Sequence, residues 1–355
     1  MKQVGWLRPE HMPQWDAFVG NHPFGWISHL SVWKKILESS FRHIKGHFIA
    51  IWDDDTNQIL AGLPIYTVKS WLTGNRLVSV PFLTHCEALI SSPRDMDKLL
   101  PPILNLYKEI NASYIKLITW RSASLIREPR MGISRGYKHH YITLDSSPDD
   151  LKKKFHKTSV RQPITKALKG PLKMKIGESL TDLAVFYHLY SLTRKRLGLP
   201  LIPYRFFRSL WEALGSSAYL TLFLAIYKGQ PVSAYLLLKY KDIALSEFSG
   251  ERVEYRKLYA NQLLDWEAIK LSYNEGYTFY SFGRTASNNK GLMVYKSRWG
   301  TTVDDFRTFF FPGLFYEQAE ERESSWKYRI ITRMAEKMPW GLFEILSRLS
   351  YRHMG

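Results

Sequence analysis

Residues 222–238 read LFLAIYKGQPVSAYLLL, two β-rich runs on either side of a polar Lys-Gly-Gln turn. This pattern predicts a β-hairpin. The same plan occurs at residues 48–68, where the run FIAIW and a second apolar run flank a longer polar turn. In each half a helix-like segment and a further strand-like run follow, at 102–120 and at 259–282. The self-similarity predicts a duplicated α+β domain, with two unrelated α+β segments as the alternative.

The composition agrees with a chain of two globular domains. Its 355 residues are 45% hydrophobic and 15% aromatic, which excludes disorder as the main state. The single cysteine, Cys86, forms no internal disulfide or multi-cysteine zinc site and favours a reducing compartment. The longest stretch without Asp, Glu, Lys or Arg has 17 residues and contains Gly, Asn and Pro. We therefore expect no membrane-spanning helix, no signal peptide and a cytoplasmic location.

The chain is strongly basic. Subtracting 32 acidic from 50 basic residues gives a net charge of +18, which favours polyanionic partners such as RNA, nucleotide phosphates or anionic lipid headgroups. Residues 151–175 contain nine of the Lys and Arg residues and no acid. The charge indicates a class of partner and does not indicate a reaction.

Several common catalytic motifs are missing from the sequence. There is no HExxH, and the only histidines four residues apart, His43 and His47, have no evident third ligand, so we expect no metal. There is also no Walker-type GxxxxGK[ST] and no GxGxxG, which disfavours P-loop and Rossmann chemistry. His85 and Cys86 are adjacent, so on a strand they point to opposite faces and form no nucleophile–base pair.

Residues 280–300, YSFGRTASNNKGLMVYKSRWG, remain as the best candidate for a functional segment. The segment begins as a strand and turns at Gly283, and a polar loop then leads to a short element with Tyr295, Lys296 and Trp299. It resembles the C-terminal signature of the FemAB-like branch of the GNAT acyltransferase superfamily. Further blocks resemble that branch in the expected order: residues 63–82, SVRQPITKA at 159–167, and TRKRLGLP at 193–200 with RFF at 205–207. The resemblance covers roughly residues 25–311.

The resemblance implies two tandem GNAT-like domains, each a mostly antiparallel central sheet flanked by helices. They would occupy residues 1–145 and residues 146–311, with the active site in the second. Residues 312–355 would form a helical tail that packs back on the first domain. The implied activity is transfer of an acyl or aminoacyl group to an amine or hydroxyl of a cell-wall precursor, a polysaccharide or a peptide-linked acceptor.

The resemblance also places a functional lysine at Lys296, where an ammonium could stabilise the oxyanion of acyl transfer. Arg284 is the second catalytic candidate, because a guanidinium suits phosphate or carboxylate. The alternative without a catalytic role is a solvated surface charge for Lys296 and an ion pair at a strand end for Arg284. We expect both side chains to face one cleft, and we expect the basic members of the substrate-binding set to line one groove. That set is Arg161, Lys166, Arg194, Arg196, Tyr204, Arg205, Ser281, Tyr295 and Trp299.

The donor stays open at this point between an acyl-CoA and an aminoacyl-tRNA. The pyrophosphate loop R/Q-x-x-G-x-G/A, which binds phosphate at a helix start, does not occur. A tRNA donor suits the charge, but the sequence has no long heptad insertion like the coiled-coil arm of the peptidoglycan-bridge members. The expected partner is an anionic donor or acceptor: a nucleotide, tRNA or phosphorylated glycan precursor. Peripheral contact with the inner face of the membrane is left open. The alternative function is a non-catalytic GNAT-fold protein that binds RNA or another polyanion through its basic patch.

Overall fold

The computed structural model describes residues 2–315 and 326–355, which form two compact units. Unit 1 comprises the described residues of Met1–Gly136, Asp305–Arg329 and Leu346–Gly355. Unit 2 comprises Tyr137–Asp304 and Ile330–Ile345. The predicted tail, residues 312–355, lies partly outside the described residues, since 316–325 are not among them.

Unit 1 is a mixed sheet with helices. Its strands lie in the order β1-β2-β3-β4-β5-β12, antiparallel except for the parallel pair β4–β5. The strands are β1 (Lys2–Trp6), β2 (Ile44–Asp53), β3 (Gln58–Val68), β4 (Asn75–Val78), β5 (Ala112–Thr119) and β12 (Thr302–Phe311, mostly in this unit); the helices are α1 (Met12–Asn21), α2 (Ser31–Ser40) and α3 (Pro93–Glu109).

The core of unit 1 lies between α3 and the sheet. Met96, Leu99, Leu100 and Ile103 recur at helical spacing along α3, and all four are buried. They pack with alternate residues of the strands, because successive strand side chains point to opposite faces.

Unit 2 repeats this plan. Its strands lie in the order β6-β11-β10-β9-β8-β7, antiparallel except for the parallel pair β10–β11. The strands are β6 (Gly132–Thr143, mostly in this unit), β7 (Leu172–Gly177), β8 (Leu220–Tyr227), β9 (Gln230–Tyr240), β10 (Ile243–Glu251) and β11 (Phe279–Ala286); the helices are α4 (Pro148–Lys154), α5 (Gln162–Lys169), α6 (Leu180–Arg196), α7 (Tyr204–Leu214), α8 (Ala260–Asn274) and α9 (Lys290–Ser297).

The duplication expected from the sequence is present. In unit 1 the run β2-β3-β4-α3-β5 and in unit 2 the run β8-β9-β10-α8-β11 have the same order and strand directions. In both, a helix connects the two parallel strands. The hairpin β8–β9 turns at Lys228 and Gly229, which both have positive φ (47° and 79°). Such a turn matches the twist of the paired strands, which explains why the Lys-Gly pair marks it in the sequence.

Two helices end the chain, α10 (Trp326–Lys337) and α11 (Trp340–Ser350). Residues Ile330–Ile345 belong to unit 2, where the Lys195 ammonium donates to the carbonyl oxygen of Glu336 (2.7 Å). The last ten residues belong to unit 1, where the Tyr351 ring packs against Phe82 (5.2 Å between ring centroids). Of the helices in the described part of the chain, none is both long and apolar enough to cross a membrane.

Candidate functional site

A notch opens in the sheet of unit 2 where β10 and β11 diverge. Their parallel pairing is confined to Ile243–Leu245 and Phe279–Ser281. Past that point β10 continues along β9 with a bulge, and β11 continues along β6 after a register shift. Gly283 lies at this shift with a φ of +69°, a left-handed conformation that favours glycine. The carboxyl halves of two neighbouring strands are therefore unpaired with each other.

Lys296 on α9 reaches this notch. Its side chain is buried, with 6% exposure of the residue. Its Nζ atom donates to the carbonyl oxygens of Phe282 (2.5 Å), Gly283 (3.3 Å) and Arg284 (3.3 Å), which follow the last β11 residue paired with β10. An ammonium has three N–H donors, so these carbonyls match all of them. Burial lowers the pKa of Lys296 to about 8, although the charges of Asp265 and Glu247 act in the opposite direction.

A buried carboxylate, Asp265 on α8, lies beside this region with 2% exposure. It accepts hydrogen bonds from the hydroxyls of Tyr235 (3.2 Å), Tyr280 (3.0 Å) and Tyr295 (2.9 Å). Burial raises the pKa of Asp265 to about 6, while these hydrogen bonds and the Lys296 charge oppose the rise. One carboxylate thus connects α8 with β9, β11 and α9.

The N-terminus of α8 faces a pocket of about 420 Å³. Tyr259 precedes the helix in a left-handed conformation (φ +59°) and gives it no side-chain cap, so the first N–H groups keep their capacity to bind an anion. The lining includes Val232, Glu251, Arg252, Tyr255, Arg256, Tyr259, Ala260, Asn261, Gln262, Leu292 and Tyr295.

Glu251 fixes the cationic part of this lining. Its carboxylate accepts hydrogen bonds from Arg196 (3.2 Å), Asn261 (2.7 Å) and Arg256. Arg252 adds a further guanidinium, within 3.3 Å of His188. Arg196, Arg252 and Arg256 outnumber the two carboxylates beside them, Glu251 and Glu254, the latter 3.6 Å from Arg252. An excess of positive charge at a helix N-terminus is a suitable environment for phosphate.

Four residues of the predicted set lie at the notch or at the pocket beside α8. Tyr295 lines the pocket, and Arg196 reaches the lining through Glu251. The Lys166 ammonium lies 5.9 Å from the centre of the Tyr259 ring. Ser281 ends the β10–β11 pairing, and its hydroxyl lies 2.7 Å from Nε2 of His139.

Arg284 and Lys296 do not face one cleft, contrary to our expectation. Arg284 pairs in register with His139 on β6, and its guanidinium lies 4.9 Å from the Tyr137 ring, two residues along the same face. His140, on the opposite face of β6, contacts α9 through Met293 (3.2 Å). Cross-strand partners share a face and successive residues alternate, so the Arg284 side chain leaves the sheet on the face away from α9.

The other predicted residues have different surroundings. Arg194 donates from Nε and Nη2 to the carbonyl oxygen of Pro200 (3.0 and 2.9 Å), so it holds the α6–α7 connection instead of lining the common groove that we expected. Trp299 is fully buried between Phe155 and Phe282 and is a core residue. Three residues remain. Tyr204 packs on Tyr187, and Arg205 is exposed on the first turn of α7. Arg161 is half-buried and precedes α5.

The sequence patterns did not indicate Asp265, Glu251 or the start of α8. Residues 256–261 read RKLYAN, which has the arginine of the R/Q-x-x-G-x-G/A loop but Tyr259 and Asn261 at its two glycine positions. A search for glycine passes over it, although Tyr259 adopts the left-handed φ that a glycine would supply. The signal for Asp265 is a single acid inside the apolar run LLDW at residues 263–266.

The comparisons with known proteins define the class of this fold. Residues 154–297 match the family model described as an acetyltransferase (GNAT) domain, which includes the notch, the start of α8 and Lys296. Together with the repeated plan of unit 1, the match defines a tandem GNAT-like fold whose second unit contains the GNAT domain. No curated protein sequence gives a significant match.

The chain is similar to solved structures with this fold. The crystal structure of FemX superposes with a TM-score of 0.70 at 16% identity, covering 87% of this chain and 97% of FemX. A tandem GNAT protein from the clavulanic acid biosynthesis pathway gives 0.56 at 10% identity (87% and 98% covered). L-PGS from Bacillus licheniformis gives 0.55 at 12% identity (93% and 97% covered). The fold predicted from the FemAB-like signature is thereby confirmed.

Proposed function

We propose that the protein transfers an acyl group from acyl-CoA to an amine or hydroxyl of an anionic glycan, a cell-wall precursor or a peptide-linked acceptor. The observation that carries this proposal is the divergence of β10 and β11 at the end where α8 begins. Ligands of sheets with parallel strands bind outside the carboxyl ends of those strands, at such a divergence. The notch and the uncapped helix start lie along one path for an extended donor.

In this proposal the donor diphosphate binds at the start of α8. The N–H groups of Ala260, Asn261 and Gln262 supply backbone donors, and Arg252 and Arg256 supply charge. The thioester then extends toward the notch between β10 and β11. Acyl-CoA is preferred to aminoacyl-tRNA because the matched family model is that of an acetyltransferase domain. The longest helices of the described chain, α3 and α6, have 17 residues and provide no long coiled-coil arm.

The reaction is acyl transfer through a tetrahedral intermediate. The acceptor nitrogen or oxygen forms a bond to the thioester carbon and loses its proton to solvent. The carbon–sulfur bond then breaks, and the CoA thiolate takes a proton from solvent and leaves as the thiol. The carbonyl oxygen becomes an oxyanion between these two events. We propose that this oxyanion replaces one of the two longer acceptors of Lys296, the carbonyl of Gly283 or Arg284, while the bond to Phe282 holds the ammonium in place.

Two observations support an anionic acceptor. The net charge of +18 favours one, and the fold is shared with FemX and with L-PGS. Arg161 and Arg205, expected as substrate-binding residues, do not line the donor pocket and are proposed as acceptor contacts. Arg284, expected to be catalytic, is also outside that pocket and is proposed as an acceptor contact instead.

The donor site is tested by one isosteric substitution. Gln262→Glu places a negative charge in the first turn of α8, where it favours the helix but repels a phosphate. Acyl-CoA affinity, measured by titration calorimetry, should fall roughly tenfold. Asn274→Asp is the matched control, because it adds the same charge at the other end of α8 and should leave the affinity unchanged.

Turnover is tested by following the CoA thiol released from a panel of acyl-CoAs with amino-sugar and peptide acceptors. Thiol release that depends on both substrates supports the proposal. Equal acyl-CoA affinity in wild type and Gln262→Glu would reject the donor site at α8. Complete absence of acyl-CoA binding would reject the donor class itself.

A further inference from the structure

The turn between β3 and β4 exposes two large apolar side chains side by side. Trp71 is 87% exposed and Leu72 is 64% exposed, and Trp71 is the most exposed large apolar residue of the described chain. Neither side chain contributes to the core of unit 1. Two adjacent apolar residues at the tip of a turn have no evident role in the folding of this unit.

The end of the chain is fastened to this turn. His353 makes a ring contact with Trp71 (5.2 Å between centroids), and its Nδ1 lies 2.9 Å from the hydroxyl of Ser70. Arg76 donates to the carbonyl oxygen of His353 (2.7 Å), and Tyr351 is buried. The contacts make the turn and the chain end one built surface, which we call the Trp71 surface: residues 69–76 and 346–355, all in unit 1.

The chain end adds more exposed apolar groups. Phe343, Ser347 and Tyr351 form the buried face of the last helical segment. Leu346, Leu349 and Met354 are exposed instead. The helix end therefore has one buried face and, outside it, apolar side chains that the described residues cover only in part.

The charged side chains of the Trp71 surface are all positive. Its two segments contain Lys69, Arg76, Arg348 and Arg352 and no acidic residue. Lys69, Arg348 and Arg352 are exposed, while Arg76 is buried and holds the chain end. Exposed Trp and Leu side chains bordered by Lys and Arg are typical of segments that lie in the headgroup region of a bilayer.

Other occupants fit this surface less well. A second copy of the chain would bring like charges together across a self-complementary interface, which is unfavourable. RNA would match the cations and Trp71, but the aliphatic Leu72, Leu346 and Leu349 would gain little from a phosphate backbone. An anionic bilayer matches both the apolar and the cationic groups.

We propose that the Trp71 surface docks on the surface of a bilayer that contains anionic phospholipids. Trp71 and Leu72 enter the boundary between headgroups and acyl chains, and Lys69, Arg348 and Arg352 contact lipid phosphates. The surface is independent of the proposed donor site, so failure of either proposal leaves the other unaffected.

Co-sedimentation with vesicles tests this proposal. The full chain should sediment with vesicles of mixed phosphatidylglycerol and phosphatidylcholine but not with phosphatidylcholine alone. The double variant Trp71→Ser, Leu72→Ser should bind the mixed vesicles at least about tenfold more weakly. Arg348→Gln and Arg352→Gln should each cost about fivefold and reduce the salt dependence. Leu180→Ser, at an exposed leucine of α6, is the matched control and should bind like the wild type.

Trp71 and Leu72 are exposed, so the double variant should retain the wild-type circular dichroism spectrum and melting temperature. Absence of wild-type binding to the mixed vesicles would overturn the proposal, as would equal binding by the double variant. The double variant could instead lose RNA binding or self-association while its vesicle binding stays unchanged. That result would overturn the proposal in favour of RNA or of a second copy of the chain as the partner.

Discussion

The ammonium of Lys296 lies 2.5 Å from the carbonyl oxygen of Phe282, the first β11 residue past the pairing with β10. The bond joins α9 to the side of the notch. It places the only buried cation of α9 where two strands of the sheet separate. Burial lowers the pKa of Lys296 to about 8, so most of the ammonium remains charged at neutral pH.

Lys296→Met keeps the length of the side chain and removes its charge. Turnover should fall by roughly one to three orders of magnitude, the scale of losing one oxyanion donor. Three carbonyls lose a donor, so the free energy of unfolding should also fall, by about 1–3 kcal/mol. Turnover is measured by thiol release well below the melting temperature, and the free energy of unfolding is measured by urea unfolding. Lys290→Met, at an exposed position of the same helix, is the control. An unaltered rate would exclude Lys296 from catalysis.

Asp265→Asn should change how stability depends on pH. The pKa of Asp265 is about 6 in the folded protein, above its ordinary value of 3.8, so between these values the folded state binds more protons than the unfolded state. The associated stability is present below about pH 4 and is lost as the pH rises through 6. Relative to the Asn variant, the wild type should lose about 3 kcal/mol over this window. Urea unfolding of both proteins at a series of pH values measures it, and parallel curves would contradict the assignment.

Gly283→Ala tests the bulge in β11. An alanine at a φ of +69° is strained, and the free energy of unfolding should fall by about 1–2 kcal/mol. A shift of the Phe282–Arg284 carbonyls should also reduce turnover. Gly291→Ala is the control, since a Cβ there meets no atom closer than 3.9 Å and the residue lies in α9. Similar stability of the two variants would show that the bulge relaxes without cost.

Tyr295→Phe removes one of the three hydroxyls that hold Asp265. The loss of a hydrogen bond to a charged group should lower the free energy of unfolding by about 1–2 kcal/mol at neutral pH. The pKa of Asp265 should rise further, because the Tyr295 hydrogen bond lowers it. Tyr255→Phe is the control, as its hydroxyl bonds to Gln230 at an exposed position. Urea unfolding as a function of pH separates the loss of stability from the shift in the pKa of Asp265. A variant with wild-type stability would show that the Tyr295 hydroxyl does not stabilise the Asp265 carboxylate.

The sequence by itself determined the repeated plan and predicted the segment of the candidate site. Hairpin patterns at 48–68 and 222–238 arise from alternation and turn chemistry, which act between residues close along the chain. Lys296 was predicted as a site residue for a similar reason, because the segment 280–300 is continuous and its resemblance is local. These features need no knowledge of distant contacts.

Only the tertiary structure decided which side chains meet. Arg284 was expected beside Lys296, but strand register with β6 places it on the other face, and register is set by pairing between residues more than a hundred positions apart. Asp265 gains its raised pKa from burial and its three hydroxyls from β9, β11 and α9, none of which its neighbours in sequence reveal. The turn residues Trp71 and Leu72 likewise read as ordinary apolar residues in the sequence. Their exposure is a property of the folded surface, because burial depends on which elements pack over a side chain and not on its own chemistry.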